Sequence, residues 1–329
     1  MSDRPPASTD DVSAQQHPGQ RALTTGIACS LGAGMLWGLV FIVPLCLPDY
    51  PPTMLAVGRY LAFGVIVLPL AFSDRRRLQH LQRQDWWRAA ELALVGNLLY
   101  YLCLAAAIQL AGAPVPTLLI GTLPIVIALV SNFGAEALPW RRLFPSLLVI
   151  ALGIALVNHQ ETTRLTTTLN LRAHYLGVIL AIGAVLAWTW YPIRNSSWLR
   201  QRPGLSPATW ALAQGLATLP LAVLGVAALS LHFRGDTTFD YPWGPQPLRY
   251  LGLMLLLGFC ASWLGTLLWN RASQLLPAAL VGQLIVFETL AALAYAFIWR
   301  GTLPDARILL GIVLLIGGVL LGVRAFRKR

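Results

Sequence analysis

Apolar residues run in long blocks along this chain, broken by short polar intervals. The blocks lie at about 24–46, 52–72, 87–109, 113–134, 141–158, 174–193, 206–231, 247–270, 277–299 and 305–323. Each approaches or exceeds the roughly 20 apolar residues that carry a helix across the hydrocarbon layer. Because a chain in lipid must satisfy its backbone groups internally, such blocks are helices. The pattern predicts an all-α membrane protein with ten transmembrane helices, numbered here as spans one to ten. Residues 1 to about 22 are polar, rich in Pro, Ser, Asp and Gln, without an apolar signal-peptide core. They read as a disordered cytoplasmic tail.

Composition agrees with this reading and excludes others. Of 329 residues, 57% are apolar and 11% charged, with a mean hydropathy of +0.64. A soluble domain carries about 25% charged residues. The net charge of +11 would suggest nucleic acid in a soluble protein, but its distribution gives a different reason. Seventeen Arg and Lys residues fall in one set of alternate loops, and only Arg164, Arg172, Arg234, Arg249, Arg300 and Arg307 in the other. By the positive-inside rule both termini face the cytoplasm. No nucleic-acid partner is expected.

The threonine-rich interval 159–173 divides the spans into five and five. Short similarities recur in order across it: Leu36-Trp37-Gly38 with Ala187-Trp188-Thr189, Pro52-Thr53-Met54 with Pro207-Ala208-Thr209, and Leu138-Pro139 with Leu303-Pro304. A duplication of an odd number of spans places the copies upside down relative to each other, the inverted-repeat plan of secondary transporters. The predicted organisation is a tail (1–22), a five-helix repeat (23–158), a connecting loop (159–173), a second five-helix repeat (174–323) and a basic cytoplasmic tail (324–329).

With the tryptophan of span one, the Pro52 to Arg59 opening of span two, the Gly134 to Pro139 run ending span four and the glycine-rich last span (Gly311, Gly317, Gly318, Gly322), the chain resembles the EamA-type drug/metabolite transporters. The resemblance covers about 24–323. It implies a ten-helix exporter in the inner membrane, with a central cavity lined chiefly by spans one, three, four, six, eight and nine. It also implies amino acids or related polar molecules as substrates. The chain departs from the family pattern at Gly301, where a glutamate is usual, and at Glu288-Thr289, where Glu-Pro is usual.

Charges and amides at membrane depth are the candidate substrate-binding residues, because they are costly there and face a cavity or a partner. Glu288 lies about eleven residues into span nine, roughly 16 Å from its inner end and near the midplane. Its carboxylate can carry a proton, hold a substrate amine, or form a structural pair between helices. Gln283, about 7.5 Å nearer the cytoplasm, extends the same polar strip. Asn97 occupies a similar depth in span three, either reading substrate or joining helices. Trp37, Trp188 and Trp263, with Tyr101 and Tyr191, are deep aromatics that can cover an apolar or cationic substrate group or simply pack. Trp86, Trp87, Trp140, Trp198, Trp243 and Trp299 flank spans and fit interfacial belts.

Two residues are structural or gating candidates. Arg59 in span two can act as a counter-ion, with direct substrate contact the weaker reading because span two is peripheral in the family. Pro124, mid-way along span four, removes a backbone bond and frees the Ile120 carbonyl, giving a static bend or a gating kink. Glu91 reads as an interfacial carboxylate. The pairs Gly34/Gly38 and Gly318/Gly322 suit close helix packing within the monomer first, and a homodimer second.

Enzyme and metal signatures are weak. His80 and Asp85 match an HxxxxD pattern, but in a loop without a second motif. The four cysteines are scattered, the five histidines share no spacing, and no phosphate loop or nucleophile elbow occurs. A transporter without cofactors or metals is expected, using a small-molecule substrate, with protons as the candidate coupling ion and the lipid bilayer as its setting. A lipid-carrier flippase, or a non-transporting scaffold or sensor, is the alternative.

Overall fold

The structure, a computed structural model, describes residues 9–111, 114–132, 139–162, 171–234, 239–301, 303–304 and 306–327. Helices are the regular structure of the described residues, which include no strand. Helix α1 (Thr9–Cys46) is span one, and α2 (Pro52–Ser73) is span two, followed by a single turn, α3 (Arg75–Leu78). Span three is α4 (Arg83–Leu92), a π-wound segment π1 (Ala93–Leu99) and α5 (Tyr100–Ala111). Next come α6 (Pro114–Gly121), α7 (Leu123–Ser131) and α8 (Trp140–Thr162). The second half contains α9 (Leu171–Gln201), α10 (Pro207–His232), then α11 (Pro247–Leu256), π2 (Leu257–Leu264) and α12 (Gly265–Leu275) in one span. It ends with α13 (Ala278–Leu284), α14 (Val286–Arg300) and α15 (Ala306–Arg327).

Eight of these helical runs are long and apolar enough to cross a membrane: 20–44, 52–73, 83–108, 172–201, 207–232, 247–275, 278–299 and 306–325. The apolar block 113–134 is divided instead. Helix α6 ends at Gly121 and α7 starts at Leu123, because Pro124 in the first turn of α7 has no N–H to continue the ladder. At the break the Thr122 backbone N–H and hydroxyl both donate to the Leu119 carbonyl, at 3.0 and 2.6 Å. The block 141–158 is the 23-residue helix α8.

Sequence-based boundaries shift at both ends of the chain. Helix α1 reaches back to Thr9, so the part of the expected tail from residue 9 onward continues the first helix. Once an apolar block has nucleated a helix, each further residue adds a hydrogen bond at low cost. Helix α15 likewise runs to Arg327, into the expected basic tail. The loop expected at 159–173 shortens because α8 extends to Thr162 and α9 begins at Leu171; residues 163–170, like 133–138 of the Gly134 to Pro139 motif, lie outside the described residues.

Packing joins the two halves throughout. Helix α8 lies along α15, α2 along α10, α5 along α9, α1 along α14 and α12, and α7 along α13. Close contacts rest on glycine: a Cβ at Gly34 would meet the Glu288 backbone at 3.0 Å, and one at Gly38 would meet Ala291 at 2.7 Å. Gly318 and Gly322 pack within the chain too, against Ile150 and Gln283 respectively. The outer faces of these helices carry exposed Phe72, Ile179, Leu186, Leu231 and Val313. Apolar surface on this scale is covered by lipid in a membrane protein.

The HxxxxD pair has a structural account. Asp85 takes part in a capping box at the start of α4, accepting from the Gln82 backbone N–H at 2.8 Å, and sits 3.5 Å from Arg202 at the end of α9. His80 is exposed. Trp198, expected as a belt residue, is flanked by the guanidinium groups of Arg88 and Arg202 at 5.1 and 5.2 Å. Arg88 and Arg194 both pair with Glu91, so that interfacial carboxylate ties α4 to α9.

Candidate functional site

A small cavity lies where spans one, two, three, six, eight and nine meet. Two spans pass it as π-wound segments and a third is broken beside it. A π turn admits an extra residue into a helix and recurs at functional sites. In π1 it brings Gly96 against α9, where a Cβ would collide with the Tyr191 ring, and Asn97 against Thr218 of α10. In π2 it brings Ala261 and Ser262 against α1 and α2; the Trp37 indole N–H donates to the Ala261 carbonyl at 2.8 Å, and Arg59 Nε donates to Ser262 Oγ at 3.0 Å.

Glu288 owes its position to the break in span nine. Helix α13 ends at Leu284 and α14 restarts after Ile285, which places Glu288 in the first turn of α14. A helix N-terminus favours negative charge there. The side chain is 7% exposed and faces the cavity, and its Oε2 has no hydrogen-bond partner. Arg59, also 7% exposed, lines the same cavity and acts on Glu288 electrostatically. Among the described residues no ion pair within 4.0 Å joins the two. Arg59 instead lies over the rings of Tyr60 and Tyr101, at 5.0 and 5.4 Å.

The aromatic wall is continuous. Tyr100, Trp188 and Tyr191 stack in sequence, with centroids 4.7 and 5.1 Å apart, and Trp37 meets Trp188 edge-on at 5.3 Å. Asn97 completes the polar lining and donates from Nδ2 to Thr218 Oγ1 at 3.2 Å. Together the lining offers a carboxylate, a guanidinium, an amide, two hydroxyls (Ser262, Thr266) and a stacked aromatic surface. That set can hold a polar molecule bearing charges of both signs. At about 20 Å³ the cavity has room for about one water.

Of the residues singled out from sequence, Glu288, Asn97, Trp37, Trp188, Tyr191 and Arg59 line this cavity. Tyr101 stands one layer behind, edge-on to Tyr60 at 6.3 Å. Gln283 does not extend the Glu288 strip: it is fully buried on α13 beneath Gly322 of α15, with neither side-chain polar atom partnered. Trp263 packs at a tilt against Phe259, with ring centroids 5.2 Å apart, and is not part of the lining. Pro124 is buried at the α6/α7 break and also outside it. Span two joins the lining through Arg59 and Tyr60, and among the described residues span four, expected there, contributes none. Ser262 and Thr266 escaped notice in the sequence, although two hydroxyls one helical turn apart in an apolar block are a legible signal.

The EamA-like transporter family matches residues 24–159. Inner membrane protein YtfF of Escherichia coli (strain K12) is 44% identical over 308 residues, covering 92% of this chain and 96% of its own. The chain belongs to the EamA-like transporter family. It is a multi-pass protein of the inner membrane. A solved crystal structure covers 93% of this family member and 99% of itself with a TM-score of 0.71 at 17% identity, a likeness of fold alone.

Proposed function

We propose that the protein exports small polar metabolites, amino acids and related compounds among them, by alternating access around the cavity, with Glu288 carrying either the substrate amine or a coupling proton. The observation that carries this reading is the buried Glu288 carboxylate, incompletely hydrogen-bonded, sharing one aromatic-walled cavity with Arg59. A zwitterion presents the complementary pair of charges. Asn97 orients polar groups, and Trp37, Tyr100 and Trp188 cover the apolar part.

The architecture proposed with it is ten spans in two inverted repeats, with both termini cytoplasmic. The helix pairings support it, since exchanging spans one to five with six to ten turns the α5–α9 contact into α12–α1 and leaves α2–α10, α7–α13 and α8–α15 unchanged. The π-wound segments, in spans three and eight, exchange in the same way. Broken helices at a midplane site are a recurring feature of inverted-repeat transporters, whose halves rock about that site. The arginine distribution supports the orientation.

The test compares medium and cell interior by mass spectrometry for cells expressing wild type, Glu288→Gln or empty vector, loaded with amino acids, dipeptides and aromatic cations. One class accumulating outside only with wild type is the expected result. Identical profiles despite verified membrane expression would remove export of these compounds and favour a lipid-carrier flippase or a scaffold.

A further inference from the structure

One helix continues the polar lining of the cavity well beyond it. Ser262 and Thr266 face the cavity, and Asn270 and Ser273 follow at helical spacing on the same stripe of α12, some 16 Å in all. All four are buried, at 3, 7, 0 and 0% exposure. Their neighbours on α9 and α10 are polar as well. Asn195 donates from Nδ2 to Asn270 Oδ1 at 2.8 Å, and its own Oδ1 accepts from Trp210 Nε1 at 2.8 Å and Gln214 Nε2 at 3.1 Å. Gln214 Oε1 in turn accepts from the hydroxyl of Tyr191, back at the cavity, at 2.9 Å. A hydrogen-bonded track thus leads from the cavity to the end of spans six and eight that carries Arg194, Arg200 and Arg271.

Two features of this track bear on what it does. Buried polar groups in a core serving one conformation are nearly all hydrogen-bonded. Here the hydroxyls of Ser196 and Ser273, next to Asn195 and one turn beyond Asn270, have no partner although both residues are buried. Moreover, among the described residues the side-chain hydrogen bond joining spans six and eight at this level is the Asn195–Asn270 amide pair. Asn270 and Gln274 also donate to the Pro207 and Leu205 carbonyls at the start of span seven, and these neutral contacts open without leaving a charge unpaired.

We propose that this track is the cytoplasmic leg of the substrate path, shut in this conformation by the Asn195–Asn270 pair. When spans six and eight separate there, water reaches Ser273, Asn270 and Thr266 in turn, and polar solutes enter the cavity from the inner side. The inference rests on the transport reading and on the proposed orientation, but its test reads access rather than flux.

Single cysteines, Ser273→Cys and Thr266→Cys, are placed in full-length protein whose Cys29, Cys46, Cys103 and Cys260 are replaced by serine or alanine. Inside-out and right-side-out vesicles are treated with a membrane-impermeant cationic methanethiosulfonate. Ser146→Cys, an equally buried serine between α8 and α15, is the control. The expected result is modification of Ser273→Cys from the cytoplasmic face at least tenfold faster than the control, with Thr266→Cys slower than Ser273→Cys. Adding Asn270→Ala, or in a second variant Asn195→Ala, accelerates it several-fold further. A Ser273→Cys rate equal to the control, modification only from the outer face, or rates unchanged by both gate variants would overturn the proposal. Normal labelling without export of any tested compound would instead count against the proposed substrates and leave the route standing.

Discussion

Trp37 and Tyr191 line the same cavity, and each presses its ring against the π-wound segment of a span from the other half. Trp37 donates its indole N–H to Ala261 of π2, and Tyr191 fills the space over Gly96 of π1. Each contact spans the two halves of the chain, so the aromatic wall reports directly on how closely they are drawn together.

Trp37→Phe keeps a ring but removes the donor. The expected loss is about 1 kcal/mol, the usual net worth of a buried hydrogen bond, seen as a lower melting temperature in detergent. Trp37→Ala also empties the contacts with Trp188 and Trp269 and is expected to cost roughly 3–5 kcal/mol. An equal shift for the two variants would show that the indole hydrogen bond, not the packing, dominates.

Gly96→Ala places a methyl into the Tyr191 ring. Either the ring or the helix must move, and overpacking of this kind typically costs about 1–3 kcal/mol. Adding Tyr191→Ala should recover part of that loss, which a double-mutant cycle of thermal stability would detect as a coupling.

Glu288→Gln removes a buried ionisable group but keeps the shape. Because an incompletely satisfied carboxylate is costly to bury, the variant should melt at the same temperature as wild type or higher. Export, measured as efflux of preloaded substrate, should fall at least tenfold and lose its dependence on pH. Unaltered efflux with an unaltered pH profile would remove Glu288 from the mechanism.

Asp85→Ala deletes a helix cap and the partner of Arg202, with an expected stability loss of about 1 kcal/mol. His80→Ala, at an exposed position, should match wild type in stability and efflux. A matched loss of efflux in both variants at full expression would revive a catalytic reading of the pair.

Gly301 ends α14 with φ at 63°, a left-handed conformation that glycine adopts freely and other residues resist. Gly301→Ala is expected to destabilise by about 1 kcal/mol without touching the cavity, so its melting temperature should drop while substrate affinity stays constant.

Membrane class, the helical blocks and the few polar residues inside them were all determined by the sequence, because a charge or amide at membrane depth stands out against an apolar background. Glu288, Asn97 and Arg59 were legible on that ground alone. Proline did the same for the break in span four, where Pro124 marks the start of α7. The partners of those residues were decided by the tertiary structure. A helix that is apolar on its lipid face and apolar on its packed face gives no sign of which side looks inward, so Trp263 and Trp188 read alike although only Trp188 reaches the cavity. Gln283 and Glu288 are five residues apart on paper, yet the break at Ile285 and the crossing of α15 send one beneath Gly322 and the other into the site. Span two entered the lining because π2 packs against it and supplies Ser262 to Arg59, a contact between residues 203 positions apart. Local chemistry selects the unusual residues, and only long-range packing determines which of them share a cavity.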